Sequence, residues 1–302
     1  MITGKAAAAT LSVVSNAVLI VLKLIAGVLT GSIAILTEAV HSAIDLLASV
    51  VALVSIRKAD APADADHPYG HEKAENVAAG AEAMLILVGA GIIGYEASRR
   101  IVSGSELEHI GLGIAVIGFS ALANLAVSTL LYRRAREYDS PALEGDAAHL
   151  RADAATSLAV LAGLMLVEVT GNPVFDAIAA LIVAVAIVAS GVRLMLRSGR
   201  VLMDEALPPE ELDKIEAAIA AARPPEMVGY HKLRARRAGA RRHVDFHVQF
   251  RAGTSLERAH DLAHTLRGAI EANITHADVL IHVEPEGSAT GPGSEAGPLR
   301  HG

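Results

Sequence analysis

Residues 32–56 read SIAILTEAVHSAIDLLASVVALVSI, with His41 and Asp45 near the middle of a strongly apolar run. The run exceeds the roughly 20 mainly apolar residues that a helical membrane span needs. His41 and Asp45 are four apart, so on a helix they lie one above the other on a single face. The arrangement returns as His149-Leu-Arg-Ala-Asp153 in a later apolar segment. Ionisable side chains are costly at membrane depth and face a bundle interior, a water-filled pathway or one another, so each pair marks a functional site. Together the two motifs offer four ligands, and two imidazoles with two carboxylates suit a borderline cation such as Zn2+, held tetrahedrally.

The hydropathy pattern predicts six helical spans, at about 6–29, 32–56, 77–102, 109–132, 142–169 and 173–196. Hydrophobic residues make up 52% of the chain and mean hydropathy is +0.43, yet aromatic residues are only 3% and Trp is absent, unlike an ordinary soluble core. The apolar segment behind Lys5 lacks an evident cleavage site and reads as a retained first span, not a signal peptide. There is no cysteine, which excludes a disulfide framework and thiolate metal chemistry and leaves His and carboxylate as the ligands.

Basic residues in short loops set the orientation. Lys5, Arg57, Lys58, Lys73, Arg133, Arg134, Arg136, Arg197 and Arg200 fall on the side of the N-terminus, against Arg99 and Arg100 on the other. This predicts cytoplasmic N- and C-termini in a multi-pass cell (inner) membrane protein. The net charge of −7 argues against a nucleic-acid partner, and the local cluster Arg234, Arg236, Arg237, Arg241 and Arg242 reads as solvated strand and turn surface.

The spans are punctuated by Gly31-Ser32, Ser140-Pro141 and Asn172-Pro173, the last two as N-cap and first-turn proline. The fifth span crowds Glu144, Asp146, His149, Arg151 and Asp153 into its cytoplasmic half, which therefore cannot face lipid. Lys23, late in the first span, is expected to snorkel toward the outer interface. Beyond Asp204 the pattern turns soluble. Pro208-Pro209-Glu210-Glu211 opens a helix, strands follow at 228–236 and 242–250, then a helix at 255–273 and a strand at 278–284. The reading is an α-β-β-α-β, ferredoxin-like α+β unit. The organisation expected is a six-helix transmembrane domain over 1–205, a cytoplasmic metal-binding α+β domain over 206–286 and a Gly/Ser/Pro-rich disordered tail over 287–302.

Two further constellations stand out. Between the second and third spans, His67 and His71 are four apart around a turn-forming Pro and Gly and can chelate a cation with Asp64 or Asp66. In the soluble unit His231, His247, His260, His282 and Glu284 come from different elements and have to meet in the fold. The chain has thirteen histidines, and the gathering of several of them in three places is more specific than their number. His243, His264 and His276 stay unassigned.

Taken as a set, the six spans, HSAID, HLRAD, DADHPYGHEKAEN, HKLRARRAGARRHVDFHVQF and VLIHVEP resemble the cation diffusion facilitator (CDF) family, close to its bacterial zinc and iron efflux branch. The resemblance covers nearly the whole chain except the tail. It implies a homodimer that exports divalent cations in exchange for protons, and no enzymatic activity. It implies a transport site of His41, Asp45, His149 and Asp153, a loop site of Asp64, His67 and His71, and a regulatory cytoplasmic site of His231, His247, His260, His282 and Glu284. His41, where relatives carry Asp, implies Zn2+ over Cd2+ or Mn2+. Glu284 departs from the Asp often found at that position. The resemblance also implies a junction in which Lys73 pairs with Asp204 across the dimer, supported by Arg236.

The ligands themselves suggest the coupling. Imidazole binds metal only when neutral, and its reference pKa near 6.5 makes metal and proton compete for the same nitrogens. Asp45 and Asp153 would neutralise the ion's charge in a low-dielectric bundle, and helices rocking around a nearly fixed site would give alternating access. Other readings stand beside these. The intramembrane groups can form a structural network, and the loop can be a turn with Asp caps and surface histidines. An intramembrane metalloprotease would need His-Glu-x-x-His, and His71-Glu72 has no second His at that spacing. A membrane-anchored zinc sensor would have no use for the intramembrane groups. Export of Fe2+, Co2+, Cd2+ or Mn2+ stays open, since affinity order alone does not set selectivity.

Overall fold

A computed structural model describes residues 4–30, 33–103, 111–170 and 174–287. The chain divides into two compact units that part between Gly199 and Arg200. The first is built from helices α1 (Gly4–Thr30), α2 (Ile33–Ala59), α3 (Lys73–Ser103), α4 (Gly111–Glu137), α5 (Pro141–Thr170) and α6 (Val174–Leu202). Among the described residues, Gly4–Ala26, Lys73–Arg99 and Ala177–Leu202 are long and apolar enough to cross a membrane by composition alone. The charged first half of α5 weakens its apolar signal.

Small residues let these helices approach. Ala6, Ala9, Ala52, Ala78, Ala135, Ala142 and Ala147 form one buried seam with Ile56, Leu131 and Leu143. Ala79, Ala83, Ile86 and Ala90 of α3 form another with Ile187 and Leu194 of α6. The outside is apolar as well: Val28, Leu29, Val169 and Val185 are largely exposed, as suits a surface solvated by lipid hydrocarbon. Lys23 departs from its expected place. It is only 4% exposed, and its Nζ donates to Ser42 Oγ of α2 at 2.6 Å, so a partner inside the bundle replaces the outer interface.

The second unit runs α7 (Pro209–Ala221), β1 (Met227–Ala238), β2 (Arg241–Phe250), α8 (Leu256–Asn273) and β3 (Ala277–Pro285), the α-β-β-α-β order read from the sequence. Its sheet has the order β1-β2-β3, antiparallel then parallel. Gly239, at φ 54°, makes the two-residue turn between β1 and β2 possible. Strand alternation then fixes two faces. Val244, Phe246, Val248 and Phe250 point inward against Ile215 and Ile219 of α7 and Leu262, Leu266 and Ile270 of α8. His243, Asp245 and His247 therefore belong to the opposite face. Ser255 caps α8 by accepting from the Arg258 backbone N–H at 3.2 Å.

Candidate metal centres

In the helical unit, Asp45 from α2 and His149 and Asp153 from α5 converge. His149 Nε2 lies 3.1 Å from Asp45 Oδ1 and 3.8 Å from Asp153 Oδ2. One potential ligand atom from each residue falls within 4.8 Å of the others. Asp45 and His149 are buried and Asp153 nearly so. The α-helical repeat stacks His149 on Asp153, and helix packing delivers Asp45 to them. His41 sits one turn before Asp45 in α2, and its side chain lies outside the described residues. Three ligand-type atoms held this closely in a water-poor setting can coordinate a divalent cation or share protons.

A polar chain that sequence reading missed runs up to this group. Ser49 Oγ donates to Asp146 Oδ1 at 2.8 Å, Asn16 Nδ2 donates to Ser49 Oγ at 2.8 Å, and Ser12 and Ser49 share a hydrogen bond at 3.0 Å. The signal was present as spacing. Ser12 and Asn16, Asp45 and Ser49, and Asp146, His149 and Asp153 each repeat at three or four residues. Glu82 of α3 was missed too. It is fully buried, and both its oxygens lack a hydrogen-bond partner among the described residues.

The loop between α2 and α3 gathers Asp64, His67 and His71. Asp64 Oδ1 accepts from the backbone N–H groups of His67 at 2.7 Å and Asp66 at 3.1 Å, an Asx-type turn, and lies 3.1 Å from His67 Nδ1. His71 Nε2 is 3.2 Å from Asp64 Oδ2, and the two imidazole centroids are 4.4 Å apart. Gly70, at φ 91°, turns the chain into α3. The His67 backbone hydrogen bond holds the exposed Asp64 carboxyl below its ordinary range, which keeps it ionised. Of the two aspartates considered for this loop, Asp64 joins the cluster and Asp66 contributes its backbone N–H.

On the helix-free face of the sheet, His231, His247 and Glu284 meet. Glu284 reaches both imidazoles, with Oε1 2.6 Å from His247 Nδ1 and Oε2 3.2 Å from His231 Nε2. Adjacent strands put His231, His247 and His282 in one row. His282 Nε2 is 3.5 Å from Glu284 Oε1, and its ring stands 4.6 Å from that of His247. His260 is not brought to this cluster. It is exposed on α8, whose Ala259, Leu262 and Leu266 are turned to the sheet's other face, and its ring lies 4.5 Å from that of His264. At the start of this unit, Arg236 Nη1 donates to Asp204 Oδ1 at 2.9 Å.

Comparison with known proteins gives two family matches. Residues 9–203 match the cation efflux transmembrane domain, and residues 207–286 the cation efflux protein cytoplasmic domain. An uncharacterized transporter of Synechocystis is 35% identical over 87% of this chain and 85% of its own length. The cation-efflux pump FieF of Shewanella oneidensis is 32% identical over 91% of this chain and 92% of its own. Among solved structures, the metal-bound C-terminal domain of the CzcD transporter from Thermotoga maritima shares 30% identity. It covers 27% of this chain and 96% of its own, with a TM-score of 0.24.

Proposed function

The chain belongs to the cation diffusion facilitator family, whose members export divalent metal cations across a membrane, and from that premise we propose a proton-coupled antiporter carrying chiefly Zn2+. The observation that carries this reading is the convergence of Asp45, His149 and Asp153 from two helices inside the membrane domain. His41, one turn from Asp45, completes the set as the fourth ligand. In the state open to the cytoplasm, Zn2+ displaces protons from the imidazoles. In the state open to the other side, reprotonation helps to release it. The carboxylates offset the ion's charge throughout, and a rocking of helices exchanges access.

The protein works as a homodimer in the cell (inner) membrane, with both termini in the cytoplasm. Lys73 pairs with Asp204 across the dimer, with Arg236 bracing Asp204. The loop residues Asp64, His67 and His71 bind a second ion. His231, His247, His282 and Glu284 sense the cytoplasmic metal level. The name of the FieF relative, a cation-efflux pump, supports export and leaves the metal open.

The test is reconstitution of wild type and a His41→Ala, Asp45→Ala double variant in liposomes holding an internal zinc dye, under an imposed pH gradient. Gradient-dependent uptake lost in the variant is the expected result. No flux above empty liposomes, with zinc still bound by the sheet histidines, would instead make the protein a membrane-anchored sensor. Equal flux without a pH gradient would remove the proton from the mechanism. Competition by Fe2+, Co2+, Cd2+ and Mn2+ in the same assay ranks the alternative cargoes.

A further inference from the structure

α5 and α6 line a cavity of about 660 Å3 that presents an apolar surface, including Ala155, Val183 and Ile187, together with Arg151, Arg193 and Arg197. Arg197 has a counter-ion, its Nη1 lying 2.5 Å from the Glu144 carboxylate on the facing helix. The other two do not. Arg151 lies with its guanidinium carbon 4.4 Å from the Tyr132 ring centroid, and Arg193 Nε donates to the Ala189 carbonyl at 3.1 Å. Neither has a carboxylate partner among the described residues.

At 1.5 Å per residue, Arg193 stands roughly 13 Å from the end of α6 and Arg151 roughly 15 Å from the start of α5. The Glu144–Arg197 pair shows that these ends lie on the same side of the bundle. Guanidinium groups that far along membrane helices are costly unless something anionic meets them. Three guanidiniums and one carboxylate leave this cavity with an excess of two positive charges, which suits an anion better than a metal cation.

We propose that this cleft binds an anionic phospholipid, its phosphate held by Arg151 and Arg193 and an acyl chain lying along the apolar lining. The planar fork of a guanidinium matches two phosphate oxygens at once, and stacking on Tyr132 fixes Arg151 for that contact. Basic pockets between membrane helices suit such headgroups. The proposal needs only that these helices span a bilayer, and it stands apart from the choice of transported metal.

The test uses the full chain purified in a non-ionic detergent, titrated with phosphatidylglycerol, with phosphatidylcholine of the same acyl chains, and with inorganic phosphate. Native mass spectrometry and thermal unfolding are the readouts. Phosphatidylglycerol should remain bound and raise Tm, while phosphatidylcholine and inorganic phosphate do neither. Arg151→Gln and Arg193→Gln should each weaken phosphatidylglycerol binding about fivefold. Arg57→Gln, an exposed position outside the cleft, should leave it unchanged, and the Arg151→Lys, Arg193→Lys pair should fall between. The preference of the wild type for phosphatidylglycerol tests the idea even if the Gln variants fail to fold. Equal binding of phosphatidylcholine, displacement of the lipid by inorganic phosphate, or a double Gln variant with wild-type affinity would each overturn it. So would a Gln variant that loses its dimeric mass while keeping the lipid, since a second copy would then cover the cleft.

Discussion

A methyl group added at Gly145 would run into the Glu82 carboxyl and stand 3.2 Å from Ala79 Cα, so α3 and α5 touch there only because α5 has no side chain at that point. Gly145→Ala should destabilise the helical unit by about 1–3 kcal/mol through overpacking. Thermal unfolding in detergent would measure it. Adding Glu82→Ala should recover part of the loss, because the carboxyl end is one of the two obstacles; no recovery would place the whole clash on the Ala79 backbone. The same scale shows what spacing reveals. His149 and Asp153 share a helix face by the four-residue rule, so their proximity was readable in HLRAD. Lys23 was not readable, because its environment depends on Ser42 from another helix, and local hydropathy carries no record of that neighbour.

Between elements, the polar groups that join helices matter most. Lys5 of α1 reaches Asp60, just past α2, at 2.7 Å and Glu75 of α3 at 2.8 Å, while Glu75 also accepts from the Ser140 hydroxyl at the head of α5. Three segments thus meet at one buried carboxylate, and Lys5 links it to a fourth through Asp60. Glu75→Ala should cost about 3 kcal/mol, because it leaves a buried hydroxyl without its acceptor and a largely buried ammonium with only the more exposed Asp60. Asp60→Ala should cost less, since Asp60 is the more exposed partner. Chemical unfolding of both variants under one condition would compare them, and equal losses would show that Glu75 has no special place. A strand or helix in the soluble unit, by contrast, was legible element by element. Alternation in 242–250 is a local signal, and the structure follows it closely.

Across the whole molecule, each unit has its own buried core, so acid can act on one without the other. In the soluble unit, burial alone would raise the Glu211 carboxyl. Arg242 and Arg237 overcome this and hold it below the ordinary glutamate range. A depressed carboxyl contributes stability that is present above its unfolded value near 4.5 and lost as pH falls through the folded value. Glu211→Gln should therefore lower stability at neutral pH and flatten the acid limb below about pH 5. Amide exchange in α7, β1 and β2, which Glu211 connects, is the measurement, and an unchanged acid limb would remove Glu211 from the balance.

The membrane helices, the α-β-β-α-β order and the four-residue spacing of the His and Asp pairs are legible along the chain. Each of these depends on a period of 2 or 3.6 residues or on a local turn, and such periods are written along the chain. Tertiary structure alone decided that Asp45 meets His149, that Glu284 bridges two strands of histidines while His260 stays on the far layer, and that Glu82 and Lys23 are buried. Those outcomes depend on which helix or strand packs against which, and the residues that make them come from distant parts of the chain.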